Sequence, residues 1–68
     1  MHLFTSATYC EKIYRALKDK PRPENHDDWI ELRSDTSKAL IASHHASNGK
    51  HRKAIKMSEQ LADKWLIY

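Results

Sequence analysis

Only two places in this chain can interrupt a helix. Its 68 residues include one glycine and two prolines; Pro21 and Pro23 flank Arg22, and Gly49 follows Asn48. A proline ring removes a backbone donor and pushes the preceding residue out of the helical region, so a first element must end near residues 18–20. Asn and Gly both tolerate the left-handed backbone that closes helices, which sets the end of a second element near Ser47. These breaks divide the chain into three segments, and each carries helical periodicity.

In the first segment Leu3, Ala7, Cys10, Ile13, Tyr14 and Leu17 recur at three- and four-residue steps, opposite Glu11, Lys12, Arg15 and Asp19. Thr5 and Thr8 both have the chemistry of an N-cap, and Thr5 gives the longer apolar stripe. Glu11 and Arg15 are correctly ordered for an ion pair across one turn. The second segment opens on Asn25, His26, Asp27 and Asp28, acceptors and acids that suit the positive end of a helix. Trp29, Leu32, Thr36, Ala39, Leu40, Ser43 and Ala46 then define its expected inner face, and the small residues around 42–47 allow another helix to approach closely. Ser34, Asp35, Thr36 and Ser37 compete for backbone hydrogen bonds, so a kink or short break is expected near residues 33–37. The third segment places Ala54, Met57, Ser58, Leu61, Ala62 and Trp65 on one side, and Lys53, Lys56, Gln60 and Lys64 on the other. No segment shows the alternation or β-branched enrichment of a strand. The expected fold is all-α: one small three-helix domain over residues 1–68, helices at about 5–19, 26–47 and 50–67, with neighbours roughly antiparallel.

So short a chain buries only about 60% of the surface its unfolded form exposes, and self-association would add to a small core. A lone Cys10 excludes an internal disulfide and suits a reducing compartment. Neither an apolar run of membrane-spanning length nor a secretory leader pattern is visible. A soluble, cytoplasmic protein is therefore expected.

The five histidines do not have metal-ligand spacing. His44 and His45 are adjacent and project about 100° apart on a helix, whereas helical ligand pairs sit three or four residues apart. His51 turns toward the apolar side of its helix, and Cys10 lies within an apolar stripe that disfavours the thiolate. With one glycine there is no phosphate loop, and no nucleophile, base and acid can be grouped. These features predict no enzyme activity, no metal and no cofactor.

Charge is distributed unevenly. Residues 1–22 carry five basic and two acidic groups, residues 23–47 two and five, and residues 48–68 five and two. Lys18 and Lys20 fall at the negative end of the first helix, where cations are ordinary dipole partners. Lys50, His51, Arg52, Lys53 and Lys56 fall at the positive end of the third, where each costs a few tenths of a kcal/mol (~0.3). An anionic partner would offset that cost. The expected binding residues are accordingly Lys50, Arg52, Lys53, Lys56, Gln60 and Lys64, read as one continuous basic stripe, with Trp29, Trp65 and Tyr68 as aromatic anchors. The pattern leads first to a small non-catalytic regulatory or adaptor protein that binds an acidic protein surface, with a homodimer as one form. The alternative is a DNA- or RNA-binding regulator that uses the same stripe on phosphates.

Overall fold

In a computed structural model the chain folds into three α-helices, and the structure describes residues 5–66. They are α1 (Ser6–Lys18), α2 (His26–Ser47) and α3 (His51–Trp65), and among the described residues there is no strand. This is the all-α three-helix domain expected from the breaks. The bounds lie within a residue or two of the expected ones; α3 ends at Trp65 and is closed by Leu66. Leu3 of the expected apolar stripe, Ile67 at the expected end of the third helix and the expected anchor Tyr68 lie outside the described residues.

Local chemistry explains the ends. Thr5 caps α1, its hydroxyl accepting from the Thr8 amide at 3.0 Å. Asn25 caps α2, its side-chain oxygen accepting from the amides of Asp27 at 2.8 Å and Asp28 at 3.1 Å. Each cap satisfies donors that a helix start leaves without internal partners. Glu11 and Arg15 pair across one turn of α1 at 2.6 Å.

The start of α1 meets the start of α3 through a hydrogen bond between Ser6 Oγ and His51 Nδ1. At its other end α3 reaches the middle of α2, where the Trp65 indole N–H donates to Asp35. Sequence neighbours therefore run in opposite directions, up, down and up, and each helix packs on the other two.

The core has two unlike halves. Ile13, Leu17, Leu32, Ala39 and Leu61 fill one, joined by half-buried Tyr14, Trp65 and Leu66. The other is built from small residues, Cys10, Ala42, Ala46 and Ala54, so the helices draw close together toward the α2–α3 turn. Cys10 is fully buried, in keeping with a packing role.

Two expectations about α2 need correction. It is helical without interruption through residues 33–37. Thr36 spends its hydroxyl on the Leu32 carbonyl at 2.7 Å, and Asp35 turns inward to Trp65 and Lys64 instead of competing for backbone amides. The inner face is also rotated from the one expected: Leu32, Asp35, Ala39, Ala42 and Ala46 are buried, while Leu40 is 42% exposed. Leu40 lies about 100° around the helix from Ala39 and so falls outside the arc covered by α1 and α3.

Ser58 is fully buried in α3, and its hydroxyl has no hydrogen-bond partner among the described residues. Burying such a group without a partner costs about 1–3 kcal/mol. Ser58→Ala is therefore expected to stabilise the domain by about 1 kcal/mol in urea denaturation; a loss of stability would show that this hydroxyl is satisfied in solution.

Candidate functional site

The turn between α2 and α3 determines where the basic residues fall. Gly49 has φ +83°, a backbone conformation that strains any residue carrying a Cβ. Its amide donates to the Ala46 carbonyl at 3.1 Å, and the Lys50 amide to the His45 carbonyl at 2.9 Å. This paired pattern is a Schellman closure of α2. Because α3 begins immediately afterwards, Lys50 both completes that closure and occupies the N-cap position of the next helix. An ammonium group cannot accept a hydrogen bond, so the first-turn amides of α3 have no side-chain cap, unlike those of α1 and α2.

Around these amides stand Lys50, His51, Arg52 and Lys53, all exposed, with exposed Lys56 one turn further along α3. Among the described residues, no carboxylate lies within ion-pair distance of Lys50, Arg52, Lys53 or Lys56. Their field is felt by His45. Partial loss of hydration, followed by the charges of Lys53, Lys50 and His44, holds its pKa below the ordinary histidine value.

The rest of the expected stripe behaves differently. Lys64 is not free: its ammonium group lies 2.9 Å from Asp35 and 3.2 Å from Glu31. The bond to Asp35 raises its pKa, against a smaller opposing effect of lost hydration, and Glu31 reinforces the rise. Asp35 also faces Lys38 at 3.6 Å and accepts from the Trp65 indole at 2.8 Å. Burial by itself would raise the pKa of this carboxyl, which is only 4% exposed; the hydrogen bonds from Trp65 and Lys64 and the charges of Lys64 and Lys38 prevail and lower it. Gln60 lines a shallow groove of about 220 Å³ between α2 and α3 with Lys38, Met57 and Lys64. The basic row is therefore divided into an unpaired end at the turn and a neutralised end against α2.

Neither tryptophan joins the basic end. Trp65 is half-buried and held by Asp35, so its indole N–H is already committed inside the fold. Trp29, in the first turn of α2, stands at the far end of that helix from the α2–α3 turn, with Arg22 and Arg33 over its ring. His51 is exposed overall, yet its ring is fixed by buried Ser6. On the α1 side α3 is acidic: burial, then Glu59 and Asp63, pushes the Tyr9 phenol pKa up. The unpaired positive charge of α3 therefore concentrates at the turn.

Two members of this surface were not assigned to it from the sequence: Lys38, and His45, which was weighed there only as a metal ligand. They lie seven residues apart on α2, with exposed Ile41 between them. Steps of three and four place all three along one line of the helix, a spacing visible in the sequence but without meaning until the position of α3 is known. Among the described residues, no three His, Cys, Asp or Glu side chains come together as a metal site, and no helix is long and apolar enough to cross a membrane. In comparisons with known proteins, no family model matches the chain, and no curated protein or solved structure matches it.

Two measurements check these electrostatics. Asp35 binds its proton more weakly folded than unfolded, so the unfolded state takes up more protons as acid is added. Its contribution is complete above the unfolded value, about pH 3.8, and is lost as pH falls through the lower folded value. Asp35→Asn should lower stability at neutral pH and flatten the acid side of the stability curve; an unchanged acid limb would contradict the assignment. For His45, removing charge in a Lys50→Gln, Lys53→Gln double variant should move its NMR titration upward; an unmoved His45 titration would contradict the assignment.

Proposed function

We propose that this is a small non-catalytic binding protein that docks on an acidic surface of another protein through the unpaired basic end of its α2–α3 turn. One observation supports this above all: among the described residues Lys50, Arg52, Lys53 and Lys56 lack carboxylate partners, whereas Arg15 and Lys38 each have one and Lys64 has two. Cations already paired inside the fold have little left to offer a partner, and these four retain their full field. Such a surface accelerates encounter with an oppositely charged one and sets its orientation.

A protein partner is favoured by exposed apolar residues of α2, the helix whose His45 feels the charges of Lys50 and Lys53. Ile41 is 49% exposed one turn from both Lys38 and His45, and exposed Leu40 is adjacent to it in sequence. Apolar side chains beside a charged rim match the anatomy of protein interfaces. The regulatory or adaptor role follows from this reading: docking would occlude or recruit. A cytoplasmic setting agrees with the lone buried Cys10.

A second reading has its own support. The uncapped amides of α3 add donors to the cationic group, and amides with basic side chains suit the phosphates of DNA or RNA.

The test is charge reversal. Lys53→Glu with Lys56→Glu should leave the helical circular dichroism and melting intact, since both side chains are exposed and the positive helix end is relieved. The variant should lose at least tenfold in affinity for the partner captured by the wild-type chain. Capture that survives nuclease supports the protein reading, and loss of capture on nuclease treatment supports the nucleic-acid one. Equal capture by the charge-reversed variant would remove both.

A further inference from the structure

At the opposite end of the bundle the close of α1, the connection at residues 19–25 and the first turns of α2 enclose a cleft of about 520 Å³. Lys18, Lys20, Arg22 and Arg33 line it, and no acidic residue does. None of the four is within ion-pair distance of a described carboxylate, although Asp19, Glu24 and Asp28 are close in sequence. The α1 dipole accounts for Lys18, in the last turn of that helix. It does not account for Arg22, which lies in the connection, or for Arg33, which lies inside α2.

Trp29 gives this cluster order. The Arg22 guanidinium carbon is 4.0 Å from the centre of the indole ring, and that of Arg33 is 5.1 Å away. A guanidinium attracted to a ring through its flat face keeps its in-plane N–H donors available. Two guanidinium groups gathered at one ring bring into the cleft the paired donors that suit bidentate bonding to phosphate oxygens. Pro21 and Pro23 restrict the backbone on both sides of Arg22 and so limit where its side chain can begin. Buried Leu17 and Leu32 form an apolar floor that keeps water from one side, which strengthens the attraction of an anion to the cations above it. The exposed Ser37 hydroxyl adds a further donor on the α2 wall.

We propose that this cleft is a second binding site, specific for the phosphate groups of a small polyanionic ligand, with Arg22 and Arg33 as the bidentate donors and Lys18 and Lys20 as supporting charges. It lies in the half of α2 away from the α2–α3 turn and does not depend on the docking role proposed for that turn.

Titration of the wild-type protein with pyrophosphate at low ionic strength, by calorimetry and by NMR of the Trp29 indole and arginine Nε–H signals, tests the assignment. Saturable binding should perturb Trp29 and both arginines. Arg22→Gln with Arg33→Gln should weaken it at least tenfold. The charge-conserving pair Arg22→Lys and Arg33→Lys should weaken it several-fold, because the forks are lost while the charge remains. Lys53→Gln with Lys56→Gln should leave it unchanged. The proposal is overturned if pyrophosphate does not bind, if the lysine pair binds as wild type, or if charge removal at the α2–α3 turn weakens binding equally. Binding of a single-stranded oligonucleotide without binding of pyrophosphate would also overturn it, since the occupant would then be a polymer.

Discussion

The carboxylate of Asp35, almost withdrawn from water in the middle of α2, fixes how α3 lies against that helix. It accepts from the Trp65 indole at 2.8 Å and from the Lys64 ammonium at 2.9 Å, so two consecutive residues of α3 converge on one side chain of α2. Burying a charge is costly unless it is paired and hydrogen-bonded, and here it is both. Apolar contacts alone would tolerate rotation or sliding of α3 over the small residues of α2. A directional contact does not. The depressed pKa of Asp35 expresses the same balance, because its partners outweigh the burial that would otherwise raise it.

From that register follows the division of positive charge. Lys64 is drawn into the Asp35 and Glu31 pair, and its neighbour Trp65 is drawn inward with it. At the opposite end of α3 Lys50 completes the Schellman closure of α2 and cannot accept as a cap, and among the described residues Lys50, Arg52, Lys53 and Lys56 are exposed without carboxylate partners. One helix thus has a neutralised end that holds the fold and an unpaired end free to bind. Close packing of Cys10, Ala42, Ala46 and Ala54 beneath the turn gives that binding end a firm base.

The second concentration of cations, around Trp29, has a different origin. It comes from the connection between α1 and α2, where Arg22 between two prolines is brought over the same ring as Arg33. The molecule therefore presents positive charge at both ends of its long axis, while Glu59 and Asp63 keep the α1 side of α3 acidic. A net charge of +3 conveys none of this arrangement.

What the sequence determined was local. Pro21, Pro23 and Gly49 set the number of helices and their ends; Thr5 and Asn25 announced the first two starts; Glu11 and Arg15 announced their pair. Each depends on backbone sterics or on hydrogen bonds spanning a few residues, which any chain with those residues must obey. The basic group at the start of α3 was legible for the same reason, since its position relative to the turn is local. Only the tertiary structure decided that Leu40 faces outward, that Asp35 faces inward, that Lys64 is paired, and that Arg22 and Arg33 share Trp29. Periodicity gives a helix an apolar side, but the width and direction of the buried arc depend on where two other helices lie. In α2, with small and polar residues on every side, packing had to make that choice.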